Sequence, residues 1–95
     1  MVHLTVILTV KSETDVPFVR EKMTELGRLA HQDRGCVRFE VYHSQADRRV
    51  LFLNEIWEDQ SALDEHRAMP AFTETYMKTV VPKLERAPHP CDRLV

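Results

Sequence analysis

The sequence predicts a single α+β domain with the element order β-α-β-β-α-β. Residues 2–10 and 36–44 alternate between two faces, as strands do, and other segments place apolar residues at helical spacing. The length of 95 residues leaves room for one domain, so residues 1–95 are predicted to fold as a unit.

The first strand is predicted over residues 2–10, because its side chains alternate between two faces. One face carries Val2, Leu4, Val6, Leu8 and Val10, and the other carries His3, Thr5, Ile7 and Thr9. A period of two with this β-branched content is typical of a strand. Since the second face also holds apolar or small residues, we expect both faces to be covered.

An amphipathic helix is predicted next, because apolar residues recur at steps of three and four at Val16, Val19, Met23, Leu26 and Ala30. Three side chains offer oxygens for its N-cap, those of Ser12, Thr14 and Asp15. Pro17 suits the first turn, where backbone N–H groups have no helical partner. The helix is expected to end near Asp33, with Gly35 as a permissive stop.

Two further strands follow, joined by a polar hairpin connection over residues 45–48. Residues 36–44 alternate, with Val37, Phe39, Val41 and His43 on one face and Cys36, Arg38, Glu40 and Tyr42 on the other. Residues 50–57 form the third predicted strand. These segments predict an antiparallel pair.

A second helix, interrupted by a proline, completes the pattern. Asp59 can cap it, and its apolar face carries Ala62, Leu63 and His66. Pro70 interrupts it, because the residue before a proline is pushed out of the helical region. The helix is predicted to resume over residues 71–81.

The C-terminal segment is predicted as a stiff connection over residues 88–90, Pro-His-Pro, followed by a short edge strand over residues 91–95. The whole order is the split βαβ pattern of ferredoxin-like folds. In that pattern an antiparallel four-stranded sheet carries both helices on one face.

The composition excludes several classes of function. The net charge is −2 and the basic residues form no stripe, which disfavours nucleic-acid binding. No apolar run approaches the ~20 residues that span a bilayer, so no membrane partner is expected. Two cysteines give no disulfide framework and the N-terminus shows no secretory signal, so we expect a cytoplasmic protein. The five histidines share no metal-binding spacing, so no metal site is expected.

Three segments carry the most specific signal, namely GCVRFEVY at 35–42, EIWED at 55–59 and ALDEHRAMPAF at 62–72. In this order they resemble the antibiotic biosynthesis monooxygenase family of the dimeric α+β barrel superfamily. Its pattern reads GC-x-x-[YF]-x-[VL], E-x-W-x-[DS] and A-[LF]-x-x-H-x-x-[ST]-P-H-F. The chain departs from it at Ala71, where the family often has His, and at Met69, where a small hydroxyl residue is preferred.

The resemblance implies a homodimer formed through the sheet face, with a pocket in each subunit between its sheet and its helices. It also implies a small aromatic or carbonyl substrate and no cofactor. The leading hypothesis is a cofactor-independent monooxygenase that oxidises an electron-rich phenol or quinol with O2. One alternative is an isomerase that moves a proton between carbons of a small carbonyl compound. The other is a non-catalytic ligand-binding dimeric module, which the departures at Ala71 and Met69 favour.

His66 is the candidate base, because imidazole titrates near neutral pH and can accept a phenolic proton. The alternative is a histidine at the edge of the core that hydrogen-bonds Glu55 or a backbone carbonyl. Glu55 is the second candidate catalytic residue, expected to pair with His66 or Arg38, and in the first case to orient the imidazole. It shares a strand face with Trp57, two residues later.

The remaining candidate residues would bind substrate. Trp57 is either a core residue or a pocket wall against which a flat ring stacks. Asn54 is a candidate amide for an oxyanion. The aromatic lining of the pocket is predicted to comprise Trp57, Phe39, Phe52, Phe72 and Tyr76.

Overall fold

The structure, a computed structural model, describes residues 1–95. Four strands form one antiparallel sheet in the order β2-β3-β1-β4: β1 Val2–Val10, β2 Cys36–His43, β3 Val50–Trp57 and β4 Leu84–Cys91. Its helices are α1 Val16–Ala30, α2 Gln60–Ala68 and a π-helix Ala71–Val80. None of them is long and apolar enough to cross a lipid bilayer. The α+β ferredoxin-like prediction is confirmed.

The helices cover one face of the sheet, and the core lies between them and the strands. In β1 the residues at alternate positions from Leu4 to Val10 are buried, as the alternation predicts. Val19 and Met23 of α1 are buried with them. The opposite sheet face holds the half-buried Thr5 and Ile7, which this chain's own helices do not cover.

Helix α1 begins without the predicted side-chain cap. A 3-10 turn, Glu13–Asp15, leads into it, and neither Ser12 nor Asp15 makes a capping hydrogen bond. The Ser12 hydroxyl pairs instead with that of Thr14 at 2.9 Å. The helix also ends at Ala30, before the predicted limit, because a turn follows.

A bulge near the start of β2 corrects the predicted faces of this strand. Cys36 pairs with Trp57, but Arg38 pairs with Ile56, so one extra residue lies between these partners. The extra residue is Val37, which is 49% exposed. It therefore does not share the buried face of Phe39, because a bulge shifts the alternation by one position.

Gly35 joins the start of β2 closely to the start of α2. Its φ is +75°, a conformation that side chains rarely adopt. A Cβ added here would lie 2.5 Å from the Cβ of Ala62, and the Gly35 carbonyl accepts the N–H of Glu58 at 2.8 Å. Glycine is thus required twice, by its dihedral angle and by the close approach.

The second helical segment is interrupted where the sequence predicts. Asp59 caps α2 by accepting the N–H of Ala62 at 2.8 Å. Met69 is extended, with ψ 147°, as a residue before proline should be. The following helix has π-type bonding, and the N–H of Val81 donates to the carbonyl of Tyr76 five residues earlier.

Strand β4 differs from the prediction. The Pro-His-Pro segment lies inside the strand, with Pro88 opposite Val6 and Pro90 opposite Leu4. Residues 92–95, predicted as part of an edge strand, have no regular structure. A strand at the edge of a sheet tolerates proline, since the missing N–H can face away from the neighbouring strand.

Candidate active site

A cavity of about 280 Å³ lies between the sheet and the helices, where the resemblance places the pocket. Seventeen residues line it, eleven of them hydrophobic. The sheet contributes Leu4, Phe39, Leu53, Glu55 and Arg86, the α1 side contributes Met23, Leu26, Leu29, Ala30, Gln32 and Asp33, and the other helical segments contribute His66, Arg67, Met69, Ala71, Phe72 and Tyr76. Such a mostly apolar cavity with few polar groups is typical of a small-molecule site.

His66 is held by a carboxylate that the sequence reasoning did not identify. Nδ1 of His66 lies 2.7 Å from Oδ2 of Asp33, and the two side chains are 12% and 18% exposed. The carboxylate can accept only from a protonated Nδ1, so this bond fixes the neutral tautomer with its lone pair on Nε2. Nε2 has no hydrogen-bond partner in the protein and is not sealed from solvent. It is therefore available to a ligand.

Aromatic rings surround the imidazole of His66. Its centroid lies 4.6 Å from that of Trp57, 5.8 Å from Phe39 and 5.6 Å from Phe72. These contacts fix the plane of the imidazole. With Asp33 fixing its tautomer, the ring is positioned as a proton acceptor in apolar surroundings.

The turn between α1 and β2 brings Asp33 to the site. The N–H of Asp33 donates to the carbonyl of Ala30 at 3.0 Å, and its carbonyl accepts the N–H of Cys36 at 3.2 Å. Next to it, Nε of Arg34 donates to Glu65 of α2 at 2.5 Å. The turn is thus attached to α2 through two adjacent residues, Asp33 and Arg34. The one sequence signal for Asp33 was an acidic residue at the predicted helix end, which gives no hint of a partner in α2.

Glu55 has a partner different from the predicted ones. Its Oε1 accepts the indole N–H of Trp57 at 3.0 Å, and neither His66 nor Arg38 bonds to it. Arg38 pairs instead with Glu40, two residues later in β2. Glu55 therefore does not orient the imidazole through a hydrogen bond.

Glu55 nevertheless forms part of the cavity lining and is 5% exposed. Burial raises the pKa of its carboxyl, because the charged form loses hydration. The Trp57 indole N–H and the charges of His66, Arg67 and Arg86 act in the opposite direction. The site thus holds a second carboxyl group besides that of Asp33, and burial raises its pKa.

Three predicted substrate-binding residues do not line the cavity. Trp57 is fully buried behind His66, so it supports the site as a core residue rather than as a pocket wall. Phe52 and Asn54 lie on the opposite face of β3, because side chains alternate and Leu53 and Glu55 face the helices. Phe52 is 37% exposed there, and Asn54 borders a shallow depression beside Arg38.

Phe39, Phe72 and Tyr76 do line the cavity, as predicted. The Tyr76 hydroxyl accepts a hydrogen bond from Nε of Arg86 at 2.8 Å, and the guanidinium lies 5.3 Å from the tyrosine ring centroid. Burial raises the pKa of Tyr76, although Arg86 opposes this change. Sequence reasoning missed Arg86 because β4 was placed too far along the chain.

The two departures from the family pattern, Met69 and Ala71, both border the cavity. The methyl group of Ala71 brings neither a ring nor a titratable atom to this wall. Besides Arg67 and Arg86, the titratable side chains that line the cavity are those of Asp33, Glu55, His66 and Tyr76.

Comparison with known proteins relates this architecture to a known family. The family model for antibiotic biosynthesis monooxygenase matches residues 1–77. The protein YjcS of Bacillus subtilis, described as uncharacterized, is 27% identical over 66 residues, which are 70% of this chain and 63% of that protein. The chain thus spans less than two-thirds of this curated relative.

Solved structures show the same fold over nearly the whole chain. One described as an antibiotic biosynthesis monooxygenase has a TM-score of 0.89 and 22% identity, with 100% of both chains covered. A conserved protein from Bacteroides thetaiotaomicron, described as of unknown function and a possible oxidoreductase, has a TM-score of 0.88 and 22% identity, covering 97% of this chain and 96% of that one. The family match, the fold and the cavity agree, and the chain belongs to the antibiotic biosynthesis monooxygenase family.

Proposed function

We propose that this protein is a cofactor-independent monooxygenase that oxidises an electron-rich phenol or quinol with O2. The main support for this proposal is the hydrogen bond between Nδ1 of His66 and Oδ2 of Asp33, 2.7 Å long, at the wall of an apolar cavity. Nε2 of His66 accepts the proton of a substrate hydroxyl, and Asp33 stabilises the imidazolium that forms. The role of Asp33 is to position His66, since it acts through the imidazole.

The reaction begins with proton transfer from the hydroxyl to His66. The resulting anion gives one electron to O2, which yields a substrate radical and superoxide. These two radicals combine to form a carbon–oxygen bond, and cleavage of the peroxide O–O bond gives the quinone and water. A phenol and one O2 thus become a quinone and one H2O, so no external reductant is required.

The aromatic lining supports this chemistry. Phe39 and Phe72 border the cavity beside the imidazole, and their ring faces and edges suit a planar substrate. A planar substrate that fills this apolar lining displaces water, which would otherwise protonate the anion or the superoxide.

We also propose a cytoplasmic homodimer formed through the open face of the sheet. The family resemblance supports this assembly. The open face carries apolar side chains that the chain's own helices do not cover, among them Ile7 and the 37% exposed Phe52. Both cysteines, Cys36 and Cys91, are free thiols, which fits a reducing compartment.

The test of the function is a panel of phenols and hydroquinones assayed for O2 uptake and quinone formation, in air and under argon. We expect turnover in air and none under argon. The His66→Ala variant should lose about 10²- to 10⁴-fold in kcat, as expected when a general base is removed. The matched control is His89→Ala, since His89 is exposed on β4 away from the cavity lining.

Three results would contradict the proposal in different ways. Equal turnover under argon would indicate an isomerase. Binding of the panel compounds with no turnover in air would indicate a ligand-binding module. Full activity of the His66→Ala variant would show that the base lies elsewhere.

A further inference from the structure

Two arginines line the cavity without a carboxylate partner. Arg67 and Arg86 both border it, and neither takes part in any of the seven salt bridges of the chain. The two cavity carboxylates have other hydrogen-bond partners, His66 for Asp33 and Trp57 for Glu55. Neither arginine therefore pairs directly with a carboxylate, although both lie near enough to Glu55 to lower the pKa of its carboxyl.

Arg86 is the better fixed of these two arginines. Its side chain is half-buried, its Nε donates to the Tyr76 hydroxyl, and its guanidinium lies over the Tyr76 ring. Arg67, in contrast, is exposed and has no such contact. The two terminal nitrogens of Arg86 form no hydrogen bond within the protein. A planar guanidinium with both terminal nitrogens free matches the geometry of a carboxylate.

Tyr76 supplies a further donor at the same place. Its oxygen accepts from Arg86, so its own O–H proton remains available to another acceptor. Tyr76 is 5% exposed, and the ring of Phe72 packs against it with centroids 5.3 Å apart. The hydroxyl and the guanidinium thus form a rigid pair of donors beside the cavity.

The ring of Phe72 connects this pair of donors, Tyr76 and Arg86, to the candidate base His66. Phe72 contacts both His66, at 5.6 Å between centroids, and Tyr76, at 5.3 Å. A ligand lying along Phe72 therefore comes near both the imidazole and the Tyr76–Arg86 pair. An apolar cavity of about 150 Å³ already binds benzene, so one of about 280 Å³ accommodates one or two fused rings with substituents.

We propose that Arg86 and Tyr76 form a carboxylate subsite, and that the substrate is an aromatic hydroxy acid of one or two rings. Its carboxylate binds the Arg86 terminal nitrogens and the Tyr76 hydroxyl, while its hydroxyl faces Nε2 of His66. The orientation of the substrate hydroxyl toward His66 rests on the proposed function, whereas binding of the carboxylate to Arg86 and Tyr76 does not. Arg86 sets specificity in this scheme and takes no part in the proton transfer.

The test compares two probes of equal shape, a hydroxynaphthoate and the matching hydroxynaphthamide, by titration calorimetry under argon at neutral pH. We expect the wild-type protein to bind the carboxylate probe about tenfold or more tightly than the amide, as for a charge-assisted pair of hydrogen bonds. In Arg86→Gln this preference should fall to about twofold or less. The control Arg28→Gln removes an exposed arginine of α1 away from the cavity lining and should leave the preference unchanged.

Equal affinity of the wild-type protein for the two probes would overturn the proposal without any variant. The proposal would also be overturned if the preference for the carboxylate probe survives in Arg86→Gln, or if it disappears only in Arg67→Gln. If Arg86→Gln does not fold, Arg86→Lys and Tyr76→Phe replace it, and each should lose part of the preference. Because no turnover is needed, His66→Ala should retain the preference. Failure of the oxygenase assay and failure of this subsite are therefore separate results.

Discussion

The Asp33 carboxylate and the His66 imidazole meet 2.7 Å apart, although 33 positions separate them in the chain. One lies in the turn after α1 and the other near the end of α2. The contact therefore exists only when the turn and the helix are packed as in the folded protein. It makes the geometry of the candidate base dependent on Asp33, a residue that lies outside the sequence pattern of the family.

We expect Asp33→Asn to lower kcat for any oxidised phenol by about 10²-fold and to leave KM nearly unchanged, because the amide cannot stabilise the imidazolium. Steady-state kinetics with the best substrate of the panel would measure this. Asp64→Asn is the matched control, since Asp64 is exposed on α2 and bonds only to Gln60. Equal losses in the two variants, or unchanged kcat in Asp33→Asn, would mean that Asp33 does not position the base.

The substitution Gly35→Ala should destabilise the fold by about 2 kcal/mol or more, from the unfavourable φ and the overlap with Ala62. Denaturant unfolding would measure the loss. Gly27→Ala provides the control: its added Cβ would lie 3.3 Å from Val41, and the gain in helix propensity offsets this contact. The double variant with Ala62→Gly should recover part of the loss. No recovery would show that the overlap with Ala62 is not a source of the destabilisation.

Glu55 should make the stability of the protein depend on pH. Burial raises the pKa of its carboxyl above the ordinary 4.5, so the folded state binds this proton more tightly than the unfolded state. The resulting stabilisation is complete below the unfolded-state pKa and is lost as the pH rises through the folded-state pKa. Each tenfold difference in proton affinity between the two states corresponds to about 1.4 kcal/mol.

The variant Glu55→Gln can still accept the Trp57 N–H but cannot ionise. Its free energy of unfolding should therefore fall less than that of the wild type as the pH rises through this window. Urea unfolding at a series of pH values would show it, with Glu58→Gln as control because Glu58 is exposed. Parallel curves for the wild type and Glu55→Gln would rule out this contribution of Glu55.

The dimer proposal predicts a mass of about twice 11.1 kDa in size-exclusion chromatography with light scattering at micromolar concentration. Phe52→Asp, on the open sheet face, should shift it toward the monomer. The control Met77→Glu changes a residue of similar exposure, 40% against 37%, on the π-helix. A monomeric wild-type protein would contradict the proposed assembly, and dissociation by Met77→Glu alone would place the interface on the helical side.

The elements with regular periodicity were predictable because their patterns are local. The alternation over residues 2–10 and the apolar stripe of α1 need no knowledge of the rest of the chain. The bulge at Val37 and the strand through Pro88 are set by neighbouring strands, so local alternation and proline content misled the prediction.

The site was predictable in part for the same reason. His66 lies on a helix face that periodicity identifies, and the structure places it in the cavity. Asp33 and Arg86 reach the cavity from a turn and an edge strand, which only the tertiary fold brings together. Phe52 and Asn54 were predicted to bind substrate, although strict alternation along β3 puts both side chains on the face opposite Glu55.

The two prolines of β4 affect how copies of this chain can associate. Pro88 and Pro90 lie two residues apart in an edge strand, so that edge lacks two of the amide donors that an incoming strand would need. Continuous growth of a β-sheet through this edge, as in fibrils, is therefore unfavourable. Contact between sheet faces is not restricted in this way, so the chain can present an apolar face to a partner with little risk of uncontrolled polymerisation at this edge.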